Sequence, residues 1–173
     1  NSADQVDLDF SRGYVKNNRF VESSLINEYD NVQILEDDNG DGLDFSGSEI
    51  IVSDNYFDGF LDKGISIGEN TKALITNNEF KNNRSALTAK DESNIYLLSN
   101  SYKDNKINIE MYQKKQIFKH PSVYNINEEH LNENIKKTKK SHYYKTEEKI
   151  DDFDMNNLNV FGNLKNLNWV EYE

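Results

Sequence analysis

Gly42-Leu43-Asp44-Phe45, Gly64-Ile65-Ser66-Ile67, Ala86-Leu87-Thr88-Ala89 and Asn108-Ile109-Glu110-Met111 are four copies of one short segment, each 22 residues after the last. Leu43, Ile65, Leu87 and Ile109 form one apolar column, and Phe45, Ile67, Ala89 and Met111 form a second. Asp44, Ser66, Thr88 and Glu110 form a polar column between them. This is the in-out alternation of a β-strand, repeated at a fixed long period. A period in this range is the mark of a solenoid. A single coil cannot bury its own apolar face, but coils stacked at ~4.8 Å form continuous parallel sheets around a shared core.

A second block accompanies the first. Ile50-Ile51-Val52, Ala73-Leu74-Ile75 and Ile95-Tyr96-Leu97 precede Asp54-Asn55-Tyr56-Phe57, Asn77-Asn78-Glu79-Phe80 and Ser99-Asn100-Ser101-Tyr102. An earlier copy runs Tyr14-Val15-Lys16-Asn17-Asn18-Arg19-Phe20, with Val6-Asp7-Leu8 as its first strand. Phe20 and Phe57 are 37 residues apart, so the first coil carries an insertion at about residues 28–41. Asn18, Asn55, Asn78 and Asn100 recur at one turn and are expected to hydrogen-bond along the axis as a ladder. Phe20, Phe57, Phe80 and Tyr102 are expected to stack in the core. The reading is an all-β solenoid, a right-handed parallel β-helix of about 4–5 coils over residues 1–118, followed by a C-terminal tail or cap, part helical, over 119–173.

In that tail, Asn127 as N-cap, Glu128 and Glu129 in a first turn, and Leu131 and Ile135 at helical spacing predict a helix over 127–150. Residues 133–149 hold six Lys against three Glu, which reads as a solvated basic face or as a contact for an anionic partner. The apolar stretch from Leu158 to Val170 is expected to dock and to cap or flank the stack. The chain opens at Asn1 on strand-like sequence with no initiator Met, which reads as a processed chain or a piece of a longer one.

The 173 residues carry a net charge of −11 with only three arginines, Arg12, Arg19 and Arg84, which argues against a general nucleic-acid binder. There is no cysteine, so disulfide and Cys-zinc frameworks are excluded. No apolar run approaches the ~18 residues of a membrane span. His120, His130 and His142 have no zinc-like spacing.

The segments Asp41-Gly42-Leu43-Asp44-Phe45-Ser46-Gly47-Ser48 and Asp62-Lys63-Gly64-Ile65-Ser66-Ile67-Gly68-Glu69 resemble bacterial right-handed β-helix modules of the pectate-lyase-like, carbohydrate-associated group. Ala89-Lys90-Asp91 and Tyr112-Gln113-Lys114-Lys115 fit the same pattern. The resemblance covers residues 4–115. It implies the fold and a secreted, extracellular or cell-surface setting. It implies no single activity, since the group spans lyases, hydrolases, epimerases, adhesins and phage fibres.

Asp37-Asp38-Asn39-Gly40-Asp41-Gly42 reads D-x-N-x-D-G, the opening half of a calcium loop, with Asp37, Asn39, Asp41 and the Leu43 carbonyl as ligands for Ca²⁺. Position twelve is Ser48, a departure from the full motif, and an acidic surface turn gives the same sequence. Glu69 and Asp91 occupy matched positions in adjacent coils at the ~5 Å spacing of a retaining glycosidase pair. Lys63 and Lys90 are imaginable parts of a polysaccharide lyase. Ion pairs Asp62–Lys63 and Lys90–Asp91 explain the same residues more simply. No complete catalytic set appears. The expected function is therefore a non-enzymatic module for adhesion, assembly (a filament included) or glycan contact, partnered by polysaccharide, other copies or surface proteins. The alternative is a lyase or hydrolase, or its remnant.

Overall fold

Each repeat copy becomes one coil, of three strands in the first four coils and two in the rest. The computed structural model describes residues 4–22, 40–128, 131, 134–148, 150 and 153–172. Coil one holds β1 (Val6–Asp9), β2 (Arg12–Lys16) and β3 (Arg19–Val21). Coil two holds β4 (Leu43–Ser46), β5 (Glu49–Ser53) and β6 (Tyr56–Asp58). Coil three holds β7 (Lys63–Gly68), β8 (Lys72–Thr76) and β9 (Glu79–Lys81), and coil four holds β10 (Ser85–Lys90), β11 (Asn94–Leu98) and β12 (Ser101–Lys103). Coil five contributes β13 (Ile107–Tyr112) and β14 (Ser122–Ile126), and coil six β15 (Ile135–Lys137) and β16 (His142–Thr146). Helix α1 (Val160–Lys165) and strand β17 (Val170–Glu171) follow.

The described strands form three sheets. Sheet A is β1-β4-β7-β10-β13-β15, sheet B is β17-β16-β14-β11-β8-β5-β2, and sheet C is β12-β9-β6-β3. All pairs are parallel except β16 with β17. Leu43, Ile65, Leu87 and Ile109 are direct neighbours in register and fully buried, as the 22-residue period requires. Phe20, Phe57, Phe80 and Tyr102 stack at 4.9, 5.0 and 5.4 Å between ring centroids.

The corners are held by the expected amide ladder. The side-chain oxygens of Asn55, Asn78 and Asn100 each accept the backbone N–H and the amide of the ladder Asn one coil earlier, at 3.0–3.2 Å. The amides of Asn55, Asn78 and Asn100 also donate to Val15, Val52 and Ile75 carbonyls at 2.7–2.9 Å. These bonds pair main-chain groups that the sharp corner would otherwise strand in the interior. The left-handed conformation belongs to the residue before each ladder position, Asn17, Asp54, Asn77 and Ser99, with φ of 54–58°. Asn127 (φ 56°) repeats the geometry in coil five, and there Glu128 takes the ladder place, accepting the Asn100 backbone N–H at 2.8 Å and its amide at 2.7 Å. Asn83 and Asn105 build a shorter second ladder at the next corner.

Two expectations are corrected. The helix expected over 127–150 is replaced by β15 and β16. Leu131 lies in the core and Ile135 pairs with Ile109, so the i, i+4 spacing comes from two inward-facing residues, one before β15 and one at its start. The helical piece of the C-terminal part is α1. The parallel pairing also runs past residue 118, giving sheets A and B six coils where 4–5 were expected. Irregular spacing hides the second strand of coil five and all of coil six: Ile109 to Ile135 spans 26 residues and Tyr124 to Tyr144 spans 20.

Candidate functional site on the outer face of sheet A

Strand alternation sends Asp44, Ser66, Thr88 and Glu110 to the outer face of sheet A, in register across four coils. An outward column normally meets solvent. Here Ser66 and Thr88 are fully buried, and Glu110 nearly so. Long charged side chains account for part of this cover. Lys63, at the start of β7, bonds both oxygens of Asp41 at 3.1 and 3.5 Å and also pairs with Asp62. Asp62 in turn accepts from Arg84 at 2.9 Å. Lys90, at the end of β10, reaches back two coils to Asp44 at 3.8 Å. Its stem crosses Gly68, where an added Cβ would sit 3.4 Å from Lys90 Cε, so Gly68 keeps that lane open. Glu110 pairs with Lys136 at 2.6 Å. Asp44 Oδ1 and Ser66 Oγ are buried without a hydrogen-bond partner.

The electrostatics divide the two lysines. Burial lowers the Lys63 pKa, but Asp41 and Asp62 outweigh it and hold the ammonium above its ordinary value. Lys90 is held below its ordinary value by burial, with only distant Asp44 and Asp41 opposing and Lys114 and Lys63 adding repulsion. Burial pushes the Asp41 carboxyl up to about 6 in spite of Lys63. Tyr112, at the end of β13, is raised by burial while Lys63 opposes. Lys63 is thus a fixed cation. Lys90 gives up its proton more readily than an ordinary lysine.

The structure brings Lys63, Lys90, Asp41 and Asp44 onto one face, and it leaves Glu69 and Asp91 at the corner beyond it. Glu69 pairs with Lys115. The buried Asp91 carboxylate accepts the backbone N–H groups of Lys114 and Lys115 at 2.6 and 2.7 Å, so Lys90 turns to Asp44 and not to Asp91. Both Glu69 and Asp91 have left-handed backbone (φ 54° and 50°). Of the expected calcium ligands, Asp37 and Asn39 lie outside the described residues, Asp41 is engaged by Lys63, and the Leu43 carbonyl belongs to the first residue of β4. Among the described residues no three His, Cys, Asp or Glu gather as a metal site. Sequence reasoning missed the Asp41–Lys63 and Asp62–Arg84 links, although each joins residues one 22-residue period apart.

The outer face of sheet B is the opposite case. Ile51, Leu74, Tyr96 and Ile126 point outward there and are covered by Val160, Phe161 and Leu164 of α1, with Phe153, Met155, Leu158, Leu167 and Trp169 beside them. Among the described residues, no helix is long and apolar enough to cross a membrane.

The family model described as "right handed beta helix region" matches residues 2–137. No curated protein and no solved structure matches the chain. With parallel coils stacked in register across that span, the chain belongs to the right-handed β-helix family.

Proposed function

We propose that this chain is a non-enzymatic β-helix module that contacts a glycan along the outer face of sheet A, in an extracellular or cell-surface setting. The observation that carries this reading is the buried charged row on that face, where Ser66 Oγ has no hydrogen-bond partner and Asp44 Oδ1 has only the long ion pair to Lys90. Buried polar atoms of that kind are costly in a purely structural layer and useful in a preorganised contact surface. Sugars offer the hydroxyl donors and acceptors that such a surface recognises.

Titration calorimetry against a panel of neutral and acidic polysaccharides tests the reading. The wild-type chain is expected to bind at least one, and Lys90→Met with Glu110→Gln is expected to abolish that binding while the circular dichroism spectrum stays unchanged. A wild-type chain that binds none, or a variant that binds equally well, removes the proposal.

One observation favours a second reading. The Lys90 ammonium is held below its ordinary value by burial, as a proton-abstracting base of a polysaccharide lyase requires. Lys90-dependent appearance of unsaturated uronate products, followed by ultraviolet absorbance, would move the assignment to that class. Calcium bound by Asp37, Asn39 and Asp41 would compete with Lys63 for Asp41, so the same titrations belong in calcium and in chelator.

A further inference from the structure

The corner joining sheets A and B changes sign along the axis. In coils three and four it carries Glu69, Asp91 and Glu92, and each is matched: Glu69 by Lys115, Asp91 by two backbone N–H groups, and Glu92 by Lys119 at 3.3 Å. The Lys119 backbone N–H and ammonium hold the Glu92 carboxyl below its ordinary range. In coil six, the β15–β16 turn presents Lys139 and Lys140, both exposed and with no carboxylate partner among the described residues. The other lysines of this strand pair are engaged: Lys136 with Glu110, Lys137 with the Tyr172 carbonyl at 2.8 Å, and Lys145 over the Tyr172 ring at 3.9 Å.

Lys119, His120, Lys139, Lys140 and His142 line a groove of about 610 Å³ that crosses coils four to six, with Asn94 and Ser122 as its neutral polar floor and Glu92, paired with Lys119, at one side. His120 Nδ1 lies 3.3 Å from Thr138 Oγ1, and His142 Nδ1 lies 2.6 Å from Glu171. These contacts fix both rings at the rim. Cations on successive coils are spaced by the coil repeat of ~4.8 Å, which suits anions that recur along a polymer better than a lone ion. No aromatic Phe, Tyr or Trp and no Arg lines the groove, so it has neither stacking platforms for bases nor planar forks for phosphates.

We propose that this corner groove is a second contact site, for an acidic polysaccharide whose carboxylate or sulfate groups meet Lys139 and Lys140, beside the Lys119–Glu92 pair. It stands apart from the sheet A face and does not depend on the reading given to that face.

The test uses the full chain in low salt, titrated with heparin for the sulfate source, polygalacturonate for the carboxylate source, and neutral dextran and duplex DNA as comparisons. One or both acidic polysaccharides are expected to bind, and the one that does names the source. Lys139→Ser with Lys140→Ser should weaken that binding about tenfold or more, the loss that two anion contacts give at low ionic strength. Lys103→Ser with Lys106→Ser, which removes the same charge from another exposed part of the chain, should leave it unchanged. The proposal is overturned if neither acidic polymer binds, if dextran or DNA binds as tightly, or if the two lysine-pair variants lose equally.

Discussion

The outer faces of sheets A and B occupy equivalent places on the same solenoid and have opposite chemistry. Sheet B turns Ile51, Leu74, Tyr96 and Tyr124 outward, and the chain's own C-terminal segment covers them with α1 and Trp169. Sheet A turns Asp44, Ser66, Thr88 and Glu110 outward, pairs Asp44 with Lys90 and Glu110 with Lys136, and sets Lys63 beside them on Asp41. The coil repeat needs only inward apolar columns, so each outer face was free to take a separate role. One carries the chain's own clasp, and the other concentrates charge.

The largest effect should come from exchanging these roles. Leu74→Lys places an unpaired charge under α1 and should cost more than about 4 kcal/mol, enough to leave the chain unfolded in a urea titration. Thr88→Val at the same depth on sheet A should shift the midpoint by about 1 kcal/mol at most, since it removes one hydroxyl contact, to Ser85 Oγ at 3.0 Å. Equal costs at the two positions would erase the distinction between the faces.

Next in size is the clasp itself. Leu164 is fully buried against sheet B, and Leu164→Ala should cost about 2–5 kcal/mol. A cost below about 1 kcal/mol would mean that the tail does not hold that face. The Asn ladder lies below both faces and supports them alike. Asn78→Leu strips a buried corner of its bonds to the backbone N–H of Asn55, to the Asn55 amide and to the Val52 carbonyl, and should cost about 2–4 kcal/mol.

The smallest effect is a pH dependence. Burial raises Glu128 to about 7, while the backbone N–H and amide of Asn100 and the Tyr102 hydroxyl oppose it. A carboxyl whose folded pKa lies above its unfolded value, 4.5, favours folding fully below that value. That advantage is lost as the pH rises from 4.5 through about 7. Glu128→Gln keeps an acceptor oxygen for Asn100, so thermal melts of this variant should lose that slope and gain in Tm above neutral pH. An unchanged slope would place the titration elsewhere.

The parts of this structure legible in the residues are those where one side chain's environment repeats at constant spacing. Leu43 to Ile109, Phe20 to Tyr102 and Asn18 to Asn100 are all of this kind. The second strand of coil five and all of coil six were hidden because Ile109 to Ile135 spans 26 residues and because Asn127, Leu131 and Ile135 also satisfy a helical template. The fifth ladder position was hidden because Glu128 stands where the pattern has Asn. The unbroken apolar runs around Ile51 and Leu74 carry the signal of strands buried on both sides, and the cover for their outer side was the apolar stretch expected to flank the stack. The charged face was half legible. Asp44 and Glu110 stood out as outward positions, and Lys63 and Lys90 as charges beside them. Their pairing across coils depends on how far a lysine stem reaches, which spacing along a strand does not encode.

Hydroxyl-radical footprinting, with and without the polysaccharide that binds most tightly in the calorimetric panel, tests the central claim most directly. The account predicts that bound glycan shields Tyr112 and the other oxidisable groups beside sheet A, while Tyr96, Tyr124 and Trp169 under the C-terminal clasp oxidise at an unchanged rate. Shielding confined to the clasp side, with Tyr112 unaffected, would contradict it.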